Sequence, residues 1–507
     1  MSRQTVSLLI IAILSLIGLF PILSMLASTF FNEAGFSLSG YIKLLHNNSL
    51  WSSFQNSLLL ALNVAFFSTL FGTFLGLLLS KTTLYGKILW FGLLLIPLLI
   101  PPYILAYGWY TLLGREGVLG ELLFGFWGTS FILFCIYLPI PVLILSLFAR
   151  QINPRLEEAA LLAGSWQSVL KYTTLPLLRP AIMLSFLLVF ILSIGESSVA
   201  NFLRYDIFPM ESFIQFSAFY DFKTATIYTM PLILIVLMIL LLESSFPNTP
   251  TLKHNNKPLL LKVSQLPLIA TIMIYLTLVT ILPLFSLVAH TTLQHFTDTI
   301  TSTLPILQRS LFYAFLGASL LLFFGFSSAY IISYKSTKIW KFLDILILFF
   351  FVLSSIVIGI AMILYFNTPF TNIIYASPLI ILFGYLIKYL LLSSKIIQSK
   401  LSQIPKNLIE TAQLSGASWF QILYTVLIPL SKDALIIAWL VGFIFSLRES
   451  TITMLVAPAG SSTLPTYILT QMANGKTATI AALCLIMILS LLIPLAGALF
   501  FTRKHYD

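Results

Sequence analysis

The chain has 507 residues, of which 59% are hydrophobic and only 8% charged, with a mean hydropathy of +1.01. A soluble domain carries about a quarter charged residues, so this composition excludes a water-solvated fold and makes lipid the main solvent. The net charge of +11 does not point to nucleic acid, because the basic residues stand singly in short loops between apolar runs.

A helix needs about 20 apolar residues to cross the hydrocarbon core. In chain order, such segments lie near 5–28, 55–80, 88–112, 127–149, 180–200 and 226–243, and again near 265–289, 309–333, 341–365, 373–396, 432–456 and 478–501. The first is too long for the apolar core of a signal peptide and lacks a small-residue cleavage site, so it reads as a retained helix. Pro101-Pro102 predicts a kink in the third segment. Ser354-Ser355 offers no proline at the matching place, so the two halves are expected to differ in shape there. The stretch "ESSFPNTPTLKHNNKP" (243–258) has no apolar periodicity and reads as a linker. The expected domains are therefore a first six-helix repeat at 1–243, a cytoplasmic linker at 244–263 and a second six-helix repeat at 264–507.

Nineteen of the 27 lysines and arginines fall in loops that share a side with the N-terminus, against six on the other side. That asymmetry predicts both termini in the cytoplasm.

Internal self-similarity organises the chain. Gln55-Asn56-Ser57-Leu58 returns as Gln308-Arg309-Ser310-Leu311, Trp166 as Trp419, Pro176 as Pro429 and Glu196 as Glu449. "KTAT" at 223–226 returns at 476–479, and every one of these matches is 253 residues apart. Each half has an even number of crossings, so the halves enter the membrane with the same orientation. A pathway is expected at their interface. The fold class is thus an all-α membrane protein with about twelve transmembrane helices in two parallel six-helix repeats.

Two polar segments interrupt the apolar pattern on the predicted cytoplasmic side: "EEAALLAGSWQSVLKYTTLPLLRP" from Glu157 and "ETAQLSGASWFQILYTVLIPL" from Glu410. As helices they place Leu156, Ala160 and Ala163, and likewise Leu408, Ala412 and Ser415, on one face with mostly small side chains. Glu158 and Gly164 match Glu410 and Gly416, six apart in both copies. The glycine permits a sharp turn. Pro176 or Pro429 is expected to end the short helix before the next crossing. The spacing fits a docking surface for a cytoplasmic protein and equally an ordinary interfacial helix.

The pattern Glu158-Ala159-Ala160…Gly164…Leu175-Pro176, with its second copy Glu410-Thr411-Ala412…Gly416…Ile428-Pro429, resembles the EAA signature of ABC importer permeases. The second copy departs at Thr411, and the first is one residue shorter between glycine and tryptophan. The fused duplication is similar to that of the ferric-iron and thiamine type of binding-protein-dependent permease, over nearly the whole chain.

That resemblance implies a duplicated MetI-like permease fold in a bacterial inner membrane. It implies a separate cytoplasmic ABC ATPase, in two copies by pseudo-symmetry, docked on coupling loops that contain Glu157, Glu158, Ala159, Ala160 and Gly164, and Glu410, Ala412 and Gly416. It also implies an extracytoplasmic substrate-binding protein and no cofactor in this chain, ATP and Mg being bound by the ATPase. The chain would then be a transport subunit and not an enzyme. Its expected cargo is ferric iron, with thiamine, phosphonate or polyamine behind it. The sequence has no GxxxxGK[ST] loop of its own.

Ionisable residues inside crossings face a cavity or a partner. Glu196 and Glu449 are repeat-equivalent, and Arg448 adjoins Glu449; they are candidates for the pathway or its outer gate, or else for ion pairs that hold the bundle. Lys388 in the tenth segment is weighed the same way. The loop 202–222 is rich in aromatics and is a candidate docking surface or an interfacial belt. Cys135 and Cys484 read as small buried apolar residues, and the five histidines show no ligand spacing. An ion-gradient-driven transporter with duplicated halves is the alternative function. A polytopic enzyme would need an acid–base or metal cluster, and the sequence has no HExxH motif.

Overall fold

The structure is a computed structural model and describes residues 3–32, 35–114, 118–245, 260, 265–334 and 339–503. The expected linker 244–263 lies outside the described residues apart from 244, 245 and 260. Among the described residues the β structure is one short hairpin, pairing Phe31 with Phe36 and Asn32 with Gly35. Everything else that is regular is helix.

Nine helices among the described residues are long and apolar enough to cross a membrane, and three bent pairs raise the number to 12. They fall on the segments read from hydropathy, so the chain is a multi-pass helical membrane protein. The bent pairs are Leu89–Leu99 with Pro102–Leu113 (91°), Trp340–Val352 with Ser355–Phe366 (106°), and Trp419–Leu430 with Lys432–Arg448 (77°).

The expected difference between the halves at the first two breaks is not found. Pro101 is extended (φ −56°, ψ 137°), and Ser354, 253 residues on, is equally extended (φ −61°, ψ 142°). Proline removes a backbone donor in the first half. In the second half the Lys388 ammonium donates to the carbonyls of Phe351 (3.2 Å) and Leu353, which the break leaves without helical partners. A lysine reaching across from another helix thus stabilises a break that no local proline signals.

The other prolines behave unlike simple terminators. Among the described residues four π-helical segments occur, at Ser15–Leu19, Leu170–Thr174, Thr277–Ile281 and Leu423–Leu427, and each is followed by a proline: Pro21, Pro176, Pro283 and Pro429. In each, the residue just before the proline donates to the carbonyl five positions back, as Leu175 does to Leu170 and Ile428 to Leu423. The widened turn makes room for the proline ring where an α-turn would clash. Pro176 therefore does not end its helix, which runs unbroken over Trp166–Ile194, whereas the second copy breaks at Ser431.

Two compact units form, and they are cut differently from the sequence halves 1–243 and 264–507. One unit holds 1–44, 212–230 and 293–507; the other holds 45–211 and 231–292. The first span of each half thus packs into the unit built mainly from the other half. Within the first unit, Gly18 lies so close to the Phe350 ring that a Cβ there would sit 2.5 Å from it. Within the second, Gly108 meets Pro283 with the same intimacy (2.7 Å), and Thr111 bonds Ser286 at 2.8 Å. Small residues at such crossings let helices approach where lipid supplies no hydrophobic drive.

The repeated tetrapeptide has a structural reason. Ser57 Oγ accepts from the Phe208 amide at 2.7 Å, and Ser310 Oγ accepts from the Leu464 amide at 2.6 Å. In both halves a serine on the long helix fixes the start of a later helix, Phe208–Ser217 or Leu464–Asn474. The residue before each serine holds the adjoining loop: Asn56 bonds the Asp206 carbonyl, and Arg309 bonds the carbonyls of Gly460 and Ser462.

Candidate functional site

The first polar segment forms a helix, Pro154–Ala163, that Asn153 caps by accepting from the Arg155 amide at 3.1 Å. Proline at the first turn needs no donor there. Of its two adjacent carboxylates only Glu158 faces outward. Glu157 is turned inward and fully buried. Its Oε2 accepts from the Lys81 ammonium at 2.7 Å and its Oε1 from the Thr174 hydroxyl at 2.9 Å. The two charged side chains are 2% and 0% exposed. Lys81 is the last residue of the long helix Asn48–Lys81, so the loop helix is fastened to the end of a membrane-crossing helix by a buried ion pair.

The second segment forms Lys406–Leu414 and lacks that pair. Tyr334 stands where Lys81 does and Leu427 where Thr174 does, each 253 residues on; Ile409 stands where Glu157 does, by the 252-residue shift already set at Glu158 and Glu410. Leu427 is buried in an apolar cluster with Ile397, Leu401, Ile404 and Ile422, and Tyr334 and Ile409 pack against it. Trp419 donates its ring N–H to the Tyr330 hydroxyl at 3.0 Å.

The helix ends differ as well. Gly416 is left-handed at φ +80°. Its amide donates to the Gln413 carbonyl and the Ala417 amide to that of Ala412, both at 3.0 Å. This is a Schellman closure. Gly164 is extended, and the chain passes directly to Ser165, which caps the next helix. The extra residue in the second copy, Ala417, is what gives the Schellman turn room before Ser418 forms a capping box with Gln421.

What both loops present outward is alike. Glu158, Ala159 and Gly164 are exposed, as are Glu410 and Gly416, while Ala160 and Ala412 are half-buried against the body. Leu162 is 93% exposed and Leu414 is 89% exposed, at matching positions. The sequence reading passed over these two leucines because they lie off the small-residue face, yet they are the most prominent apolar groups on each loop. Glu157, expected among the residues of the docking loop, lies underneath it.

Glu196 and Glu449 take up parallel positions at the ends of the fifth and eleventh spans. Glu196 Oε1 accepts from the Ser198 amide at 2.9 Å and from its hydroxyl, at the start of Ser198–Phe202. Glu449 Oε1 accepts from the Ile452 amide at 2.9 Å, at the start of Thr451–Val456, and its other oxygen accepts from the Tyr389 hydroxyl. Both carboxylates close the turn into a short helix, which explains their recurrence at one offset. The Arg448 guanidinium lies 5.0 Å over the Phe445 ring. Of the aromatic loop 202–222, Phe202 and Tyr205 pack against Tyr107, Tyr110 and Phe126, whereas Phe219 and Tyr220 are exposed. Among the described residues no group of three or more His, Cys, Asp or Glu is placed to hold a metal ion.

Nine to twelve candidate spans among the described residues, a repeated set of breaks and caps, and two matching polar loops define a duplicated membrane permease. Residues 321–505 match the family described as "Binding-protein-dependent transport system inner membrane component". The chain is 24% identical over 477 residues to the Fe(3+)-transport system permease protein FbpB 2 of Haemophilus influenzae, covering 91% of this chain and 92% of that one. It is 25% identical to the ferric transport system permease protein FbpB of Actinobacillus pleuropneumoniae, covering 90% and 72%. Over 157 residues it is 32% identical to the molybdenum transport system permease protein ModB of Escherichia coli K12, covering 29% of this chain and 68% of that one. The chain belongs to the binding-protein-dependent transport permease family.

Proposed function

We propose that the chain is the membrane subunit of an ATP-driven importer, with both termini in the cytoplasm and the two polar loops docked on a cytoplasmic ABC ATPase present in two copies. The observation that carries this reading is the pair of exposed leucines, Leu162 and Leu414, each beside an outward carboxylate on a short helix in both halves. An exposed apolar knob beside a carboxylate fits a cleft in a partner protein. The basic residues support the orientation.

In the proposed cycle, ATP binding closes the ATPase dimer and moves the loops, and the membrane helices change from inward-open to outward-open. A substrate-binding protein on the outer face releases its cargo, and hydrolysis resets the inward state. Nucleotide must favour one state over the other by a few kcal/mol for the cycle to turn. The same reading assigns Glu196, Glu449 and Arg448 to the pathway or its outer gate, the two carboxylates held there by the turns they close. Ferric iron is the proposed cargo, because the ferric relatives match nearly the whole chain whereas the molybdenum relative matches 29% of it. Thiamine and phosphonate are further back.

The test is co-purification with the candidate ATPase of wild type, Leu162→Asp/Leu414→Asp and Glu158→Lys/Glu410→Lys. Loss of the ATPase from both variants, with the permease still folded, is expected. Retention by both overturns the docking reading and favours the ion-gradient alternative.

A further inference from the structure

Lys81 and Glu157 lie beneath the outward face of the first loop, on which the docking reading rests. Neither reaches solvent, and neither can touch a docked partner. Glu157 is held on both oxygens, by the end of the Asn48–Lys81 helix and by Thr174 at the root of the following span. A buried ion pair resists separation, because pulling one member away leaves an uncompensated charge in a dry site. The loop helix Pro154–Ala163 and the end of Asn48–Lys81 must therefore move as one body. The second loop has no such ion pair. Its attachment through Ile409, Tyr334 and Leu427 is mainly apolar, with neutral hydrogen bonds from Trp419 to Tyr330 and from Tyr334 to the Leu401 carbonyl, and apolar contact is non-directional, so surfaces can shift while staying buried.

We propose that Lys81 and Glu157 are positioning residues that transmit movement of the first coupling loop rigidly to the Asn48–Lys81 helix, and that the second loop, lacking them, is coupled to its long helix Leu293–Ser333 through apolar contact and one neutral hydrogen bond, Trp419 to Tyr330. The two loops then drive the membrane region unequally even if two identical ATPase subunits hold them. This inference rests on the docking reading.

The experiment is hydrogen exchange on the permease–ATPase complex in lipid, with and without ATP and vanadate. It compares wild type with Lys81→Met/Glu157→Leu, the charge swap Lys81→Glu/Glu157→Lys, and the milder Thr174→Val. In wild type, nucleotide is expected to change exchange in 154–163 and in the C-terminal turns of Asn48–Lys81 together. In the apolar double variant the loop response stays, while that of the long helix falls by about tenfold. The charge swap restores most of it, and Thr174→Val gives a partial loss. Exchange in Leu293–Ser333 serves as the control for folding and stays at its wild-type level in every variant. A double variant whose long helix responds as wild type does overturns this inference alone, and so does a Thr174→Val or charge-swap protein that fails to follow its predicted order. A wild-type complex whose loops do not respond to nucleotide overturns the docking reading, and this inference with it.

Discussion

The two polar loops share their outward face and differ in what holds them from beneath. The first is fastened by charge: Glu157 to Lys81 and Thr174. The second is seated on oil: Ile409, Tyr334 and Leu427 in an apolar cluster. A buried ion pair contributes little net stability, because desolvation offsets its attraction, but it fixes geometry strongly. Apolar burial does the reverse. Duplication has therefore kept the surface and let the anchoring chemistry diverge. The same contrast continues nearby, where Lys87 and Arg150 have Trp340 and Gln403 at their places 253 residues on.

The largest way to break this contrast is to remove one charge. Glu157→Leu alone strands the Lys81 ammonium and is expected to destabilise the protein by about 4 kcal/mol, seen as early thermal unfolding in detergent. Adding Lys81→Met should recover most of that loss. A single variant no less stable than the double would mean that the pair is not dry.

The second loop should fail through packing instead. Leu427→Ala opens a cavity among Ile397, Leu401 and Ile422 and is expected to cost about 3 kcal/mol in the same measurement. No second substitution at a charged site should rescue it.

A smaller effect separates the two glycines. Gly416→Ala forces a side chain into the left-handed region and should cost about 1 kcal/mol. Gly164→Ala sits in extended backbone, with Ser168 Cβ 3.3 Å from the new methyl, and should cost less than about 0.5 kcal/mol. Equal costs would show that the Schellman turn is not what ends the second loop helix.

The smallest effect is in pH. Partial burial, and next the nearby Arg150, lower the Lys87 pKa below its usual 10.5. The folded state thus binds this proton more weakly than the unfolded one, so stability should rise as pH climbs through the lowered pKa towards 10.5. Lys87→Gln should flatten that alkaline rise, as read from unfolding midpoints across the range. Trp340, at the matching place, has no proton to contribute.

Much of this was open to reading before any fold was known. The spans follow from hydropathy because lipid asks one local question of each segment: whether its backbone is satisfied and its side chains are apolar. The 253-residue repeat follows from matching, and the serine of its tetrapeptide turned out to carry the hydrogen bonds that make it recur. The first spans also repeat, as Pro21 and Pro283 after their π-turns, but 262 residues apart, because the hairpin at Phe31–Phe36 and the helix Ser39–Leu45 lengthen the first half. A search at one offset passes over them. Lys388 was legible as an intramembrane charge but not as the donor that supports a break at Ser354, since its partners lie more than thirty residues away.

The sequence by itself therefore determined the solvent, the apolar spans, the 253-residue repeat and the two polar loops, all of which are local or periodic patterns along one dimension. Only the tertiary structure decided that each half's first span packs into the unit built mainly from the other half, and which of two adjacent carboxylates turns inward. Glu157 and Glu158 are chemically the same residue. The difference between an anchor and a contact is set by the Lys81 ammonium, 76 positions away in the chain, and no local pattern encodes a charge that arrives from another helix.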